Sequence, residues 1–251
     1  MTGMCAAIAP LQRIRLEKAA ADCGFERLPV LTVDGFLELR SACFPESLLL
    51  RPEGGTVFRV EAPVAALLGR ADDGVVLVSG ISELYVVLQH AAAVARNRPN
   101  RVADRFRRAT QRLPQTTEAE RLVVQRIGQD LFRHALLDYW QGRCCVTGLA
   151  VPSLLRASHI KPWALCESDE ERLDVFNGLL LSPNLDALFD QFLISFTDDG
   201  VTLVNDQISL DDRRLLGLSG EMRLKGIAYG HRPYLAFHRQ QFSVQTPVAS
   251  R

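Results

Sequence analysis

NGLLLSPNLDALFD, residues 177–190, changes its periodicity halfway along. The run from Gly178 to Leu181 is short and apolar and is entered through an Asn-Gly pair, which fits a buried strand after a turn. Ser182 then stands in the N-cap position and Pro183 at the first helical position, so the chain passes at once into a short helix, PNLDALFD. Upstream, SHIKPW at residues 158–163 closes a second strand, LLRASHI, and a polar loop, CESDEERLDVF, joins the two. The order is strand, loop, strand, short helix.

Lys161, Asn177, Asp186 and Asp190 are poor core residues, so packing alone does not account for their spacing. Asp186 and Asp190 stand at i and i+4, which puts both carboxylates on one helix face with Cβ atoms about 6 Å apart. Two like charges at that separation are unfavourable unless a cation lies between them, and an oxygen donor set suits magnesium or manganese. His159 ends the first strand beside the loop, where an imidazole with an ordinary pKa near 6.5 takes a proton from water at neutral pH. An Asn177 side-chain amide at the start of the second strand can bond across the loop backbone and orient that histidine.

The totals bound what surrounds these residues. The 251-residue chain is 47% hydrophobic and 23% charged, ordinary values for a globular protein. No run approaches the roughly 18 apolar residues that cross a membrane, and the opening MTGMCAAIAPLQRIR lacks the pattern of a signal peptide. The six cysteines, at 5, 23, 43, 144, 145 and 166, show no disulfide spacing and read as reduced thiols, which predicts a cytoplasmic protein. A net charge of zero hides an uneven distribution. Residues 1–95 carry 8 basic and 11 acidic side chains, residues 96–143 carry 11 and 5, and residues 144–251 carry 10 and 13. RNRPNRVADRFRRATQR, residues 96–112, alone holds seven arginines and one aspartate, a composition suited to gripping phosphate. Neutrality overall argues against strong non-specific binding but does not exclude DNA.

Residues 11–22 predict a helix with Leu11, Ile14, Leu16 and Ala19 inward. TVFRVEA and GVVLVSG predict strands, and ISELYVVLQHAAAVARN predicts a helix. Beyond Leu113-Pro114 the longest helical pattern runs to Tyr139, with Leu122, Ile127, Leu131, Ala135 and Tyr139 at helical spacing. Thr117 and Glu120 form a capping box at its start, Gly128 permits a kink, and Gly142 is placed as its C-terminal stop. CCVTG reads as a strand entering a turn, FLISF-TDDG-VTLV as a hairpin, and the last part as helices.

In this order and spacing, the cysteine turn, SHIKPW, NGLLL and DALFD resemble the HNH endonuclease family, in the subgroup with a Ser-His-Ile or Ala-His-Ile motif. The resemblance covers roughly residues 130–205, and the whole chain resembles bacterial HNH proteins with an unassigned N-terminal region. It implies an α+β protein: a C-terminal ββα-metal nuclease module with flanking helices, preceded by a small α/β N-terminal domain. The expected division is an N-terminal domain at 1–112 and a nuclease domain at 116–251 with its core at 143–205. By the resemblance His159 is the general base and Asn177 holds the loop. Asp186 and Asp190 are the metal ligands, for one divalent ion with magnesium or manganese favoured. Lys161 and Arg156 flank the base as substrate-binding residues, and Trp163 anchors the loop by packing.

The pattern departs from many relatives. Ser158 stands where a metal-binding aspartate or histidine often precedes the base, Asp186 replaces the family's last histidine, and Asn184 is a further candidate ligand. Cys144 and Cys145 are adjacent with no second pair, which does not make a zinc knuckle. The implied activity is cleavage of double-stranded DNA, with a role in restriction or defence and homodimer pairing as one route to a double-strand break. The alternatives are a catalytically decayed DNA-binding module and a regulatory protein-interaction subunit.

Overall fold

The computed structural model describes residues 8–69, 73–114, 116–218, 220 and 222–245. Cys5 lies outside them. The chain divides into two compact units, Met1–Arg96 and Asn97–Arg251.

The first unit has a helix α1 (Pro10–Asp22), five strands β1 (Arg27–Leu31), β2 (Leu37–Arg40), β3 (Leu48–Gly54), β4 (Val57–Glu61) and β5 (Val75–Ser79), and a second helix α2 (Ile81–Arg96). The strands form an antiparallel meander in chain order. Alternation fixes the core: Leu37, Leu39, Leu48, Leu50, Phe58 and Val60 are buried, as are Leu84, Leu88 and Ala91–Ala95 of α2. Both strands read from sequence, β4 and β5, are present, and β1 to β3 were not foreseen. β3 carries Pro52, which ordinarily argues against a central strand. Here the register shifts between Pro52 and Gly54, and a bulge accommodates it. On α1, Leu16 and Ala19 are buried as expected, together with Ala20, but Leu11 and Ile14 face solvent.

The second unit opens with α3 (Pro99–Thr110) packed on α4 (Glu118–Tyr139). The expected boundary at 112 and the compact boundary at 96/97 differ by α3, whose Val102, Ala103 and Phe106 are buried. The capping box of α4 is complete: Glu120 N donates to Thr117 Oγ1 at 3.2 Å and Thr117 N to Glu120 Oε2 at 2.9 Å. The buried stripe is Gly128, Phe132, Ala135, Leu136 and Tyr139, whereas Leu122 is half exposed. At the far end Gly142 N donates to Leu137 O at 2.8 Å, and Gln141 and Gly142 are both left-handed, with φ 52° and 64°, so the helix stops at the expected glycine and the residue before it.

CCVTG forms a tight turn and not a strand. Gly148 N donates to Cys144 O and Thr147 N to Cys144 Sγ, and only Cys145 N reaches the sheet, donating to Leu180 O at 2.9 Å. The frame of the motifs follows: β6 (Arg156–His159), a short α5 (Asp169–Arg172), β7 (Gly178–Leu181) and α6 (Pro183–Asp190). β6 and β7 pair antiparallel with His159 opposite Gly178. All four residues of β7 are buried, as a strand covered on both faces must be. Gly178 permits this, because a Cβ there would lie 2.6 Å from Phe132 Cζ and 2.7 Å from Leu136. The hairpin β8 (Ile194–Phe196) and β9 (Thr202–Val204), then α7 (Leu210–Leu215) and α8 (Arg232–Gln245), complete the unit.

Candidate active site

The loop between β6 and β7 is held from inside by Asn177, which is fully buried. Its Oδ1 accepts from Lys161 N at 2.8 Å. Its Nδ2 donates to Lys161 O and Glu171 O, each at 3.2 Å, and to Cys166 Sγ at 3.4 Å. One amide therefore ties residues 161, 166 and 171 together. Cys166, read from sequence as an ordinary loop thiol, is buried and belongs to this clamp.

Arg172 clamps the same loop from outside. Its guanidinium donates to Trp163 O, Cys166 O and Asp169 Oδ1. Its own carbonyl accepts from His159 Nε2 at 2.8 Å. A carbonyl can only accept, so Nε2 carries the ring proton and Nδ1 of the neutral ring holds the lone pair. Burial pushes the His159 pKa down to about 4, with the Arg172 carbonyl a weaker opposing influence. At neutral pH the ring is uncharged. Nδ1 has no partner among the described residues and is not one of the buried unpartnered polar atoms, so it opens to water. The ring itself lies flat on Phe132 of α4, centroids 3.8 Å apart, with the edge of Trp163 at 5.6 Å. Trp163 fits because α4 has Gly128 opposite it: a Cβ there would be 2.5 Å from Trp163 Cη2. The glycine read as a possible kink is a notch for the tryptophan. Neither Arg172 nor Phe132 stood out in the sequence, because an arginine working through its main-chain carbonyl and a phenylalanine in an apolar stripe carry no motif.

Neighbouring residues of a strand face opposite ways. Ser158, buried, turns to α6, and its hydroxyl hydrogen-bonds Asp186 Oδ1. Asp186 and Asp190 form no ion pair among the described residues. Partial burial, and then the Asp186 carboxylate, push Asp190 up to about 6. The residue as a whole is exposed, so solvent screens part of that push. Ser182 occupies the N-cap of α6 through its backbone only, its side chain making no capping bond. Among the described residues no group of three or more His, Cys, Asp or Glu is placed to hold a metal. The protein offers two carboxylates and a hydroxyl, and His159 does not complete a third ligand.

The remaining candidates divide. Lys161 Nζ is paired with Glu171 at 2.6 Å, which raises its pKa and ties it to the loop. Arg156 is exposed at the start of β6 and makes no ion pair among the described residues. No helix among the described residues is long and apolar enough to cross a membrane, and Cys23, Cys43, Cys144, Cys145 and Cys166 are free thiols.

The chain finds no significant match among curated proteins. A family model described as HNH endonuclease matches residues 144–197, a span that contains the cysteine turn, β6, the clamped loop, β7, α6 and β8. The stretch that carries the histidine strand, the asparagine clamp and the carboxylate-bearing helix lies within residues 144–197, which match the HNH endonuclease family and form an HNH endonuclease domain.

Proposed function

We propose that this protein is a divalent-metal-dependent DNA endonuclease that hydrolyses phosphodiester bonds with a water activated by His159. The observation that carries the reading is the state of that imidazole: neutral, its proton fixed on Nε2 by a backbone carbonyl, its bare Nδ1 open to water. Such a nitrogen accepts a proton from water as the oxygen attacks phosphorus. Phe132 and Trp163 hold the ring so that little reorientation accompanies the transfer.

The donor set fits a hard cation. Asp186 and Asp190 share a helix face without a basic partner among the described residues, and magnesium is commonly held by one or two carboxylates with water and substrate phosphate filling the shell. Asp186 and Asp190 are the proposed ligands, with Ser158 orienting Asp186 through its hydroxyl. Bound there, the metal supplies charge stabilisation for the phosphate and the leaving oxygen. Ser158 and His159 are consecutive, their Cα atoms about 3.8 Å apart, so one strand end serves both carboxylates and base. Arg156 and the basic face of α3, apart from Arg107, which Asp104 and Glu170 hold, are the proposed contacts to the sugar–phosphate backbone. Restriction or defence against foreign DNA is the proposed setting, in the cytoplasm.

A second reading has its own support. The absence of a three-residue metal group among the described residues, with Ser158 in place of an acidic or imidazole ligand, favours a domain that binds DNA without cutting it. Plasmid digestion with manganese or magnesium, with and without EDTA, decides between them. The nuclease reading expects nicking by the wild type that EDTA stops and His159→Ala abolishes. A salt-sensitive DNA shift with no nicking under any metal establishes the second reading.

A further inference from the structure

A cleft of about 780 Å³ opens between α3, α4 and the clamped loop. Phe106, Val124 and Trp163 give it apolar walls, and four arginines, 107, 108, 121 and 172, line it against a single acidic residue, Asp169. The arginines are not equivalent. Arg107 is held by Asp104 at 2.7 Å and Glu170 at 2.5 Å, and Arg172 is spent on Asp169 and two loop carbonyls. Arg108, from α3, and Arg121, from α4, are exposed and make no ion pair among the described residues. Two guanidinium groups on different helices, Arg108 with only the Asp104 charge within electrostatic reach among the described residues, thus border one concave space, and a guanidinium fork matches phosphate oxygens bidentately.

The cleft also meets the candidate active site. Trp163 touches the His159 ring and Arg172 holds its Nε2, and both residues line the cleft. We infer that this cleft is a phosphate-binding subsite in which Arg108 and Arg121 grip the backbone of the nucleic-acid strand a few nucleotides from the scissile phosphate. This rests on the nuclease reading for its ligand. It departs from a general arginine face in naming two residues and excluding Arg107.

The test uses the full chain and a fluorescent duplex oligonucleotide, with binding read by anisotropy across a salt series and cleavage read separately. Each lost phosphate contact should reduce the slope of log K against log salt by about 0.9, so R108Q/R121Q should flatten it by nearly two. KM for cleavage should rise with little change in kcat, and R108K/R121K, which keeps the charges, should restore most of the slope. Arg107→Gln should leave the slope nearly unchanged. Both arginines are exposed, and a matching urea midpoint shows that the double variant is folded. A wild-type slope retained in R108Q/R121Q overturns the subsite whether or not the protein cleaves. A flattened slope in a protein that binds but never nicks sustains the subsite and sinks the nuclease reading instead. Competition by inorganic phosphate alone as effective as by the oligonucleotide also overturns the strand assignment.

Discussion

At the scale of single residues, His159 and Asn177 do different work and their substitutions should separate it. His159→Ala should abolish nicking while leaving DNA affinity and the urea midpoint nearly as they were. Because burial lowers its pKa to about 4, His159 stays unprotonated far below the usual 6.5. The acid limb of kcat/KM, which reports the free enzyme, should therefore fall near pH 4 and not near 6.5; a limb centred at 6.5 means another group is titrating. Asn177→Ala strips an acceptor from Lys161 N and a donor from two carbonyls and a sulfur in a buried setting. Each orphaned group costs about 1–3 kcal/mol, so urea unfolding should show a loss on the order of 3 kcal/mol. Asn177→Asp should be worse, because a carboxylate oxygen then faces the carbonyls of Lys161 and Glu171. On α6, Asp186→Ala should lose manganese affinity and activity together, whereas His159→Ala should keep the metal. Isothermal titration of both separates ligand from base, and tight manganese binding by Asp186→Ala would place the ligand elsewhere.

At the scale of elements, two glycines set how closely α4 lies on the rest of its unit. Gly178→Ala drives a methyl into Phe132 and Leu136, and Gly128→Ala drives one into Trp163. Overpacking of this kind costs typically 1–3 kcal/mol, and both variants should unfold earlier in urea. They should also differ: Gly128→Ala displaces the ring that edges His159, so its activity should fall further than its stability. Equal activity in the two would show that Trp163 does not position the base. These contacts explain what the sequence did and did not reveal. The period change at 178–190 and the capping box at 117–120 are local signals, and they led to β7, α6 and the start of α4 directly. Asn177 and Asp186 came from the same local pattern. The roles of Arg172, Phe132 and Gly128 depend on partners in other parts of the chain, His159 and Trp163, so no short window of sequence contains them.

At the scale of the whole molecule, the charge distribution that summed to zero becomes local. All of the basic stretch after Arg96 belongs by packing to the second unit, most of it as α3, with Val102 and Phe106 buried beneath its arginines. A fragment beginning at residue 97 should therefore unfold cooperatively, while one beginning at residue 116 should be less stable and expose the apolar side of α4; equal urea midpoints would count against this. The length of α4 has a further consequence. Arg121 near its start borders the cleft, and Phe132, eleven positions farther along, carries the His159 ring. At 1.5 Å per residue that is about 16 Å along one helix, or roughly five nucleotide steps at 3.4 Å per step. On the proposed nuclease reading, with the cleft gripping phosphate as inferred, the helix would act as a ruler, fixing how far from the gripped phosphate the cut falls. Lengthening it by four residues between Arg121 and Phe132, slightly more than a full turn, should move the nick by about two nucleotides relative to the protected footprint.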